Sequence, residues 1–579
     1  MIKDISIVIA GRAGDGVLFT GNLLAKMLKR HGWDIVTTRD FPSNIRGEST
    51  NYTVRASLEK IYGRADQVDI LLAFDCDAIL MNMPKLARRG IVFCDGEGLE
   101  KVQAAQPRGR TFHKFPLRRL ARQTFGKDIY KNMLALGALS YILDLDLRVT
   151  EAIITDAFLE RKGREIVQKN VQALALGFEK AREMITEREC HPLAKRQDRD
   201  RLVLSGDEAI ALGALAGGCR FFAAYPICPA SEIGQWLVKY IHEFDGLVVQ
   251  TEDELAALNM ALGASYAGAR AMTSTSGPGA SLMMEAFSLS GIAEIPVVVA
   301  HVQRLGPSTG IPTKSEQGDL TQWIYGSHGD FPRIILSPGT IEECFEFTAE
   351  AFNLAEKYQC AVILLTEQDM GQNLRTARKF DLARIRIDRG KLLSQEALLG
   401  IQNFKRYEDT RDGISPRAIP SLKNGIHMVE GNEHDEKGYR DENPGTRVRM
   451  MEKRMRKLKA ASKDSLPPKL RGDKNALCGI IGCGSTLGPI LEAGKRLAAD
   501  GVKTKFLQLR TLWPFPAKEV SRFINSCRNV FVVENNYSGQ LSSLVKSQVS
   551  PCLNLQGVRK YSTLPFQPQE IASQIKKGL

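Results

Sequence analysis

Residues 5–16 read Ile5-Ser-Ile-Val-Ile-Ala-Gly-Arg-Ala-Gly-Asp-Gly16, an apolar run that ends in a cluster of glycines. The next residues include Leu23-Leu-Ala-Lys-Met-Leu28, whose apolar spacing is typical of an amphipathic helix. Further strand-like runs follow at residues 34–38, 70–74 and 90–94. Because these strands alternate with helical patterns, residues 1–190 are predicted to form a parallel sheet covered by helices.

The same alternation recurs in two later regions of the chain, at residues 200–400 and 475–579. Their strand-like runs lie at residues 219–225, 271–276, 296–301, 361–366, 478–484, 503–509 and 530–534. Between the two regions, residues 401–474 are rich in Pro, Gly and charge and are predicted to form an extended connector over neighbouring domains. The sequence therefore predicts an α/β fold with three parallel-sheet domains.

The composition places the chain among ordinary globular proteins. Its 579 residues are 43% hydrophobic and 25% charged, which excludes disordered and fibrous classes. No apolar run approaches the roughly 20 residues that span a bilayer, and the first residues resemble neither a signal nor a transit peptide. The 11 cysteines include no Cys-x-x-Cys pair, so we expect reduced thiols, no metal-binding residues and a cytoplasmic location.

The chain carries a net charge of +13, which attracts acidic partners. Much of the excess lies in the run from Arg447 to Lys459, whose Met and Leu spacing predicts an amphipathic helix with a solvated basic face. No aromatic residues alternate with these charges, so nucleic-acid binding is not expected.

The first glycine cluster, Gly11 to Gly16, follows a predicted strand and precedes a predicted helix. This placement suits either a tight structural turn or a phosphate site at a helix N-terminus. A nicotinamide-dependent dehydrogenase is a further alternative, but the spacing G-x-x-G-x-G is not the full dinucleotide fingerprint.

Polar residues follow several predicted strands of the second region. Tyr225-Pro-Ile-Cys-Pro229 predicts a rigid loop, Gly277-Pro-Gly279 another loop, and Glu254 begins an Ala-rich helix. Arg304 and Thr313 follow a buried strand and would form a carboxylate clamp. Because parallel strands end at one sheet edge, these segments predict a single site.

Simpler structural roles also account for these residues. The loop at Tyr225 would be a strand-to-helix turn with Ser231 as its N-cap. The acidic residues around Glu254 would be favoured by the dipole of the helix that they begin. Residue chemistry alone leaves both interpretations open.

Longer motifs occur in a fixed order along the chain. They are Tyr225–Pro229, Glu252–Ala257, Thr275–Gly279, Arg304–Lys314, Glu433–Gly438, Leu509–Pro516 and Val533–Leu541. Through these motifs the chain resembles the α subunit of a 2-oxoacid:ferredoxin oxidoreductase with a γ domain fused in front, and the 2-oxoglutarate type is the nearest match.

The resemblance implies a role for each domain. Residues 1–190 would be the γ domain, which helps to bind coenzyme A through Gly14, Gly16 and Arg46. Residues 200–400 would bind the pyrimidine of thiamine diphosphate, and residues 475–579 would be a structural transketolase C-terminal-like domain. Asp15 and Glu48 depart from the family pattern, and an acidic residue beside a phosphate loop opposes anion binding.

The resemblance also implies a reaction and its residues. Those matching the cofactor contacts are Tyr225, Pro226, Ile227, Glu254 and Gly277. Glu254 would hydrogen-bond the aminopyrimidine ring and promote its imino tautomer, while Arg304 and Thr313 would hold the substrate carboxylate. The implied reaction is oxidative decarboxylation of a 2-oxoacid, above all 2-oxoglutarate, with coenzyme A, giving acyl-CoA, CO2 and reduced ferredoxin.

Parts of this chemistry have no counterpart in the sequence. Neither a Gly-Asp-Gly motif followed by an Asn-Asn pair nor a set of cluster-ligating cysteines is present. The resemblance therefore implies that a separate β subunit holds Mg²⁺, the diphosphate and a [4Fe-4S] cluster. We expect an (αβ)2 assembly that reduces ferredoxin, and an inactive chain when it is alone.

One departure lies within the expected site. The family threonine of Tyr-Pro-Ile-Thr-Pro is Cys228 here, and a thiol is a weaker hydrogen-bond donor than a hydroxyl. Cys228 is predicted to contact cofactor and substrate. The alternative is a catalytically impaired scaffold or regulatory subunit, against which the retained Glu254, Arg304 and Thr313 argue.

Overall fold

The computed structural model of the chain describes residues 2–42, 49–95, 110–194, 200–549 and 555–579. The chain forms two compact units. The amino-terminal unit comprises Met1–Leu204 and Asn373–Lys379, and the large unit comprises Ser205–Gln372 and Phe380–Leu579. The domain limits expected from the sequence stay predictions.

One sheet with helices packed on it forms the amino-terminal unit. Its strands, numbered in chain order, are β1 Asp4–Arg12, β2 Asp34–Asp40, β3 Ser49–Ser57, β4 Val68–Ala73, β5 Leu86–Cys94, β6 Thr111–Lys114, β7 Arg201–Leu204 and β14 Arg375–Arg378. Its helices within the described ranges are α1 Val17–Arg30, α2 Cys76–Asn82, α3 Leu117–Phe125, α4 Lys131–Leu143, α5 Leu147–Lys162 and α6 Arg164–Met184.

The sheet of this unit is mixed rather than parallel. Its order is β6-β5-β4-β1-β3-β2-β14-β7. Strands β1, β4, β5 and β6 are parallel, whereas β3 is antiparallel to both β1 and β2. Residues 41–48 alone connect β2 to β3, and so short a connection permits only antiparallel pairing. The α/β fold class is confirmed, and the predicted parallel sheet is mixed in this unit because β3 runs antiparallel to its neighbours.

A short strand from far along the chain extends this sheet. Strand β14 pairs antiparallel with β7 and β2, although the sequence pattern assigned it to the second region. The backbone amide of Ile35 donates a 2.6 Å hydrogen bond to Thr376 Oγ1. The sequence gives no local sign of this pairing because the partner residues are hundreds of positions apart.

The large unit contains two further sheets. Its strands are β8 Phe221–Ala224, β9 Leu247–Gln250, β10 Ala271–Thr275, β11 Val297–Gln303, β12 Arg333–Leu336, β13 Ala361–Glu367, β15 Lys469–Gly472, β16 Cys478–Cys483, β17 Thr504–Leu509, β18 Thr511–Trp513, β19 Asn529–Glu534 and β20 Leu555–Arg559. Its helices within the described ranges are α7 Gly206–Ala216, α8 Ser231–Tyr240, α9 Glu254–Tyr266, α10 Gly277–Ile292, α11 Leu320–Tyr325, α12 Ile341–Tyr358, α13 Gln368–Gln372, α14 Gln395–Leu399, α15 Pro444–Asp464, α16 Leu487–Ala499, α17 Ala517–Asn525, α18 Gln540–Gln548 and α19 Pro568–Gly578.

Both sheets of the large unit are mostly parallel. The seven-stranded sheet has the order β18-β12-β13-β11-β10-β8-β9, and the five-stranded sheet has the order β15-β17-β16-β19-β20. Strand β18, from the motif Leu509–Pro516, pairs antiparallel with β12. The motif therefore joins the carboxyl-terminal region to the seven-stranded sheet.

The basic run that begins at Arg447 lies within helix α15, but much of its charge is buried. Lys453, Arg454 and Lys457 are 0%, 2% and 0% exposed. Lys453 and Lys457 both pair with Glu294, and Arg454 donates two hydrogen bonds to Glu433, of 2.9 and 2.7 Å. The predicted solvated basic face is wrong at these positions, because carboxylates distant in sequence neutralise the charges.

Three observations concern membranes, thiols and metals. In the described ranges, no helix combines the length and apolar character needed to cross a bilayer. The ten cysteines that these ranges contain are all free thiols. Within the same residues, His, Cys, Asp and Glu side chains form no group of three or more suited to a metal ion.

Candidate active site

Three neighbouring strands of the seven-stranded sheet end at one edge and carry the predicted residues. Strands β8, β10 and β11 are parallel neighbours. The loop at residues 225–229 follows β8, Gly277 follows β10, and Arg304 follows β11. Since ligands of open α/β sheets bind at the carboxyl ends of the strands, this edge is the candidate active site.

The loop after β8 is tied to the loop after β11 by two hydrogen bonds. Arg304 Nη1 donates to the Cys228 carbonyl at 2.8 Å, and Cys228 Sγ donates to the Pro312 carbonyl at 3.4 Å. Burial raises the pKa of the Cys228 thiol to about 11, although Arg304 opposes the rise. At neutral pH the thiol is therefore protonated and acts as a donor. Tyr225 and Pro226 remain exposed beside it.

Ile227 lies half-buried in the same loop, and helix α8 begins after it. Ser231 is the first residue of that helix, and Ala230, whose side chain makes no capping hydrogen bond, occupies the N-cap position. The alternative in which Ser231 is the N-cap is therefore wrong.

Arg304 and Thr313 are buried, and each keeps a polar atom without a partner. They are 7% and 4% exposed. Among the described residues, no group hydrogen-bonds Arg304 Nε or Thr313 Oγ1. Burial also lowers the pKa of the Arg304 guanidinium. Unpaired buried donors are costly unless a ligand satisfies them, and a guanidinium with a hydroxyl suits a carboxylate.

Glu254 is the first residue of α9, and its carboxylate is largely removed from water. Asp253 caps the helix by accepting a 2.7 Å hydrogen bond from the Ala256 amide. Glu254 itself is 4% exposed, and burial raises the pKa of its carboxyl, with Asp253 adding to the rise and Arg304 opposing it. A carboxyl in this environment is suited to hold a proton and pass it to a ligand nitrogen.

Helix α10 lies against the Glu254 carboxylate at Gly279. A Cβ atom on Gly279 would lie 2.4 Å from Glu254 Oε1 and 2.2 Å from Thr275 Oγ1, so any larger residue would displace these side chains. Gly277-Pro-Gly279 is the first turn of α10 rather than the predicted loop, and a proline is tolerated in this turn. The sequence motif contains Gly279, but sequence reasoning gave it no role.

A buried histidine–aspartate contact that sequence reasoning missed lies beside Gly277. His301 Nε2 and Asp319 Oδ2 are 2.8 Å apart, and His301 is fully buried. A Cβ atom on Gly277 would lie 3.3 Å from Asp319 Oδ2. The one available signal was a histidine within the mostly apolar strand β11.

A second candidate site lies in the amino-terminal unit, at the glycine turn before α1. Gly14 and Gly16 have φ values of +101° and +81°, in the left-handed region that favours glycine. A Cβ atom on Gly16 would also lie 2.2 Å from Asn132 Nδ2. The turn is therefore shaped by backbone conformation and by close packing against α4.

Asp15, between these glycines, is neutralised by its neighbours. Its carboxylate accepts a 2.9 Å hydrogen bond from Arg118 Nη2, another from the Arg12 amide at 2.9 Å, and pairs with Lys131. Burial alone would raise the pKa of Asp15, but these partners bring it below the ordinary value. The expected repulsion of an anion by Asp15 is therefore offset.

A cavity of about 600 Å³ adjoins this turn. Its lining includes the apolar side chains Phe19, Ile129 and Phe158 and the polar side chains Lys127, Lys131 and Asn132. Sequence reasoning missed this lining because all of these residues except Phe19 follow the turn by more than a hundred positions. Arg46, Asn44, Gly47 and Glu48 lie outside the described residues.

Three family models match successive parts of the chain. Residues 6–180 match "Pyruvate ferredoxin/flavodoxin oxidoreductase", residues 212–453 match "Pyruvate flavodoxin/ferredoxin oxidoreductase, thiamine diP-bdg", and residues 476–564 match "Pyruvate:ferredoxin oxidoreductase core domain II". The second match contains the whole sheet edge described above.

Similar proteins cover the full chain. It is 33% identical to 2-oxoacid:ferredoxin oxidoreductase 2, subunit alpha, of Aeropyrum pernix, over 100% of this chain and 98% of that protein. It is 30% identical to 2-oxoglutarate oxidoreductase subunit KorA of Mycobacterium tuberculosis, over 100% and 92%. A solved 2-oxoglutarate:ferredoxin oxidoreductase from Magnetococcus marinus, with 2-oxoglutarate, coenzyme A and succinyl-CoA bound, matches with a TM-score of 0.92, 34% identity and full coverage of both chains.

Proposed function

Because this chain belongs to the 2-oxoacid:ferredoxin oxidoreductase family, as a thiamine-diphosphate-binding α subunit, we propose that its main substrate is 2-oxoglutarate. The products would be succinyl-CoA and CO2, with the electrons passing to ferredoxin. Support comes from the similar Magnetococcus marinus enzyme, which binds 2-oxoglutarate and coenzyme A, and from the KorA relative. The observation that carries 2-oxoacid binding is the pair of unsatisfied donors on Arg304 and Thr313, and the choice of 2-oxoglutarate rests on these two similar proteins.

The residues at the sheet edge fit the pyrimidine half of thiamine diphosphate. Gly279 leaves space beside the Glu254 carboxylate that a Cβ atom would fill. Tyr225, Pro226, Ile227 and Gly277 would border the ring. Thiamine diphosphate, when bound, supplies the carbon nucleophile for the 2-oxo group. Glu254 would hold or move a proton at a ring nitrogen, a role that its raised pKa favours.

Arg304 and Thr313 would bind the substrate. The Arg304 guanidinium is fixed by its bond to the Cys228 carbonyl, and its free Nε would donate to the 2-oxoacid carboxylate. Thr313 Oγ1 would donate to the same group. Cys228 would act through shape and loop position, because its thiol already donates to the Pro312 carbonyl.

Coenzyme A would bind to the amino-terminal unit at the turn of Gly14 and Gly16. The α1 N-terminus follows this turn and favours phosphate oxygens. Asp15 is neutralised there, and the adjoining cavity offers both apolar walls and the Lys127 ammonium. Arg46 is part of this proposal on the family pattern alone.

The site would be completed by a β subunit that holds Mg²⁺, the diphosphate and a [4Fe-4S] cluster. Large apolar side chains on the elements of the site are exposed, namely Tyr225, Leu255, Met260 and Leu282 at 41%, 38%, 41% and 54%. A partner subunit would cover them, since such side chains are enriched in interfaces. We place ferredoxin docking on this β subunit and expect an (αβ)2 assembly.

The test uses the chain co-purified anaerobically with its β subunit. Reduction of a viologen dye is followed with 2-oxoglutarate, pyruvate and a branched 2-oxoacid, each with and without coenzyme A. The proposal predicts coenzyme A-dependent reduction that is fastest with 2-oxoglutarate. A faster rate with another 2-oxoacid would overturn the substrate assignment, and no reduction by a complex with bound cofactors would favour the scaffold alternative.

A further inference from the structure

The motif Val533–Leu541, from the carboxyl-terminal region, contacts the segment that carries the carboxylate clamp. Within the large unit, it begins at the end of β19 and runs into α18. The segment 313–321 begins at Thr313 and includes Asp319. This motif has no part in the function proposed above.

Asn535 binds the middle of segment 313–321 from both its backbone and its side chain. Asn535 Nδ2 donates to the Ser315 carbonyl at 2.9 Å. The Gln317 amide donates to the Asn535 carbonyl at 2.8 Å, and the Asn535 amide donates to Gln317 Oε1 at 3.0 Å. Ser315, Gln317 and Asn535 are each at most 5% exposed, so water does not compete for these bonds.

Gln540 binds the far end of the same segment with both ends of its amide. Its Nε2 donates to the Gly318 carbonyl at 2.6 Å, and its Oε1 accepts from the Thr321 amide at 3.0 Å. Asn536 adds a 3.0 Å bond from its Nδ2 to the Gln317 carbonyl. These bonds fix the backbone on both sides of Asp319.

Segment 313–321 links the two halves of the site. Thr313 at its start carries one unsatisfied donor of the clamp, and Asp319 near its end lies beside Gly277 and pairs with His301. A shift of this backbone would move the Thr313 hydroxyl relative to Arg304. Since Arg304 is held separately by the Cys228 carbonyl, the clamp geometry depends on the segment.

We propose that Asn535 and Gln540 are positioning residues for 2-oxoacid binding, acting through the backbone of segment 313–321. The carboxyl-terminal region would thus take part in substrate recognition as well as in folding. This inference rests on the proposed function, because it assigns the clamp to the 2-oxoacid carboxylate.

Steady-state kinetics of the α–β complex test the proposal. We expect Asn535→Ala and Gln540→Ala to raise KM for the 2-oxoacid about fivefold, the effect of losing roughly 1 kcal/mol of hydrogen bonding. The KM for coenzyme A should stay unchanged. Gln540→Glu retains the acceptor for Thr321 but loses the donor for Gly318, so it should fall between Gln540→Ala and the wild type. Tyr537→Phe is the matched control, because Tyr537 lies in the same motif and is 70% exposed.

Hydrogen–deuterium exchange gives a second readout that requires no activity. In Gln540→Ala the Thr321 amide loses its acceptor, so peptides covering 313–321 should exchange faster, whereas peptides from β11 should not change. Equal shifts in both KM values together with a lower melting temperature would indicate a merely structural role. An active wild type with unaffected variants would overturn this inference alone, while an inactive wild type would overturn the proposed function.

Discussion

Arg304 Nη1 donates a 2.8 Å hydrogen bond to the backbone carbonyl of Cys228, which joins the ends of strands β11 and β8. The bond fixes the guanidinium plane, while Nε has no hydrogen-bond partner in the part of the chain that the structure describes. A fixed, buried cation with a free donor is prepared to bind a carboxylate. The bond therefore connects the predicted loop at Tyr225 to the predicted clamp.

Replacing Arg304 with lysine tests this clamp. Arg304→Lys keeps the charge but loses the planar set of donors, so it cannot both reach the Cys228 carbonyl and bind the carboxylate. We expect KM for the 2-oxoacid to rise about 10- to 100-fold, as for the loss of a charge-assisted hydrogen bond. Arg384→Lys, at an arginine whose side chain is 84% exposed, is the control. An unchanged KM in Arg304→Lys would exclude the clamp.

Adding a methyl group at Gly279 tests the space beside Glu254. Gly279→Ala would place a Cβ atom 2.4 Å from Glu254 Oε1 and force the carboxylate to move. Because small misplacements of reacting groups are costly, we expect kcat to fall about 10- to 100-fold. Gly263→Ala in helix α9 is the matched control, since its Cβ would contact nothing within 4 Å. Equal activity of the two variants would contradict the assigned position of Glu254.

Substitutions at Cys228 test whether the site is catalytically active or impaired. Its thiol donates to the Pro312 carbonyl, so Cys228→Ala should lower kcat/KM about two- to tenfold through loss of one hydrogen bond. Cys228→Thr supplies a stronger hydroxyl donor and should match or exceed the wild type. A silent wild type that becomes active as Cys228→Thr would instead identify a chain whose catalysis was lost at this position.

The buried carboxyl of Glu367 should make the folding stability depend on pH. It is 1% exposed, accepts hydrogen bonds from Gln317 Nε2 and the Ser485 amide, and lies near Asp369 and Cys483. Burial raises the pKa of Glu367 from 4.5 to about 7, and the two hydrogen bonds oppose that rise.

The sign of the effect follows from proton binding. Between pH 4.5 and about 7 the folded chain holds a proton that the unfolded chain has released, so stability falls as pH rises through this window. The loss is on the order of 3 kcal/mol, at about 1.4 kcal/mol per pH unit. Melting curves from pH 4 to 8 should show this decline in the wild type and a flatter profile in Glu367→Gln. Parallel profiles would contradict the assignment.

Much of the fold was predictable because it depends on local patterns. Strands such as β1 and β11 are apolar runs, and they were predicted to within a few residues. The pairing of β14 with β7 and the burial of Lys453 by Glu294 were not predictable, because each depends on a partner far away in sequence. Local periodicity contains no information on such partners.

In the candidate site, too, local motifs were predictable and contacts between distant residues were not. Arg304, Thr313, Glu254 and Cys228 were predicted because motifs place them after strands or at a helix start, and the structure brings these segments to one edge. Asp319 and Gly279 were missed because their roles arise from three-dimensional proximity, to His301 and to Glu254 respectively. The catalytic roles of all these residues stay predictions.

In the proposed mechanism, Glu254 acts on the cofactor bound at the edge of this sheet. The most direct measurement compares coenzyme A-dependent viologen reduction with 2-oxoglutarate by the wild-type complex, Glu254→Gln and Glu252→Gln. Glu252 is exposed and lies two residues away, so its variant controls for local charge.

We expect a loss of at least about 100-fold in kcat for Glu254→Gln, typical of removing a proton-transfer group. Glu252→Gln should retain the wild-type rate, and both variants should bind the β subunit normally. A Glu254→Gln complex that keeps the wild-type rate would exclude this proton-transfer role of Glu254.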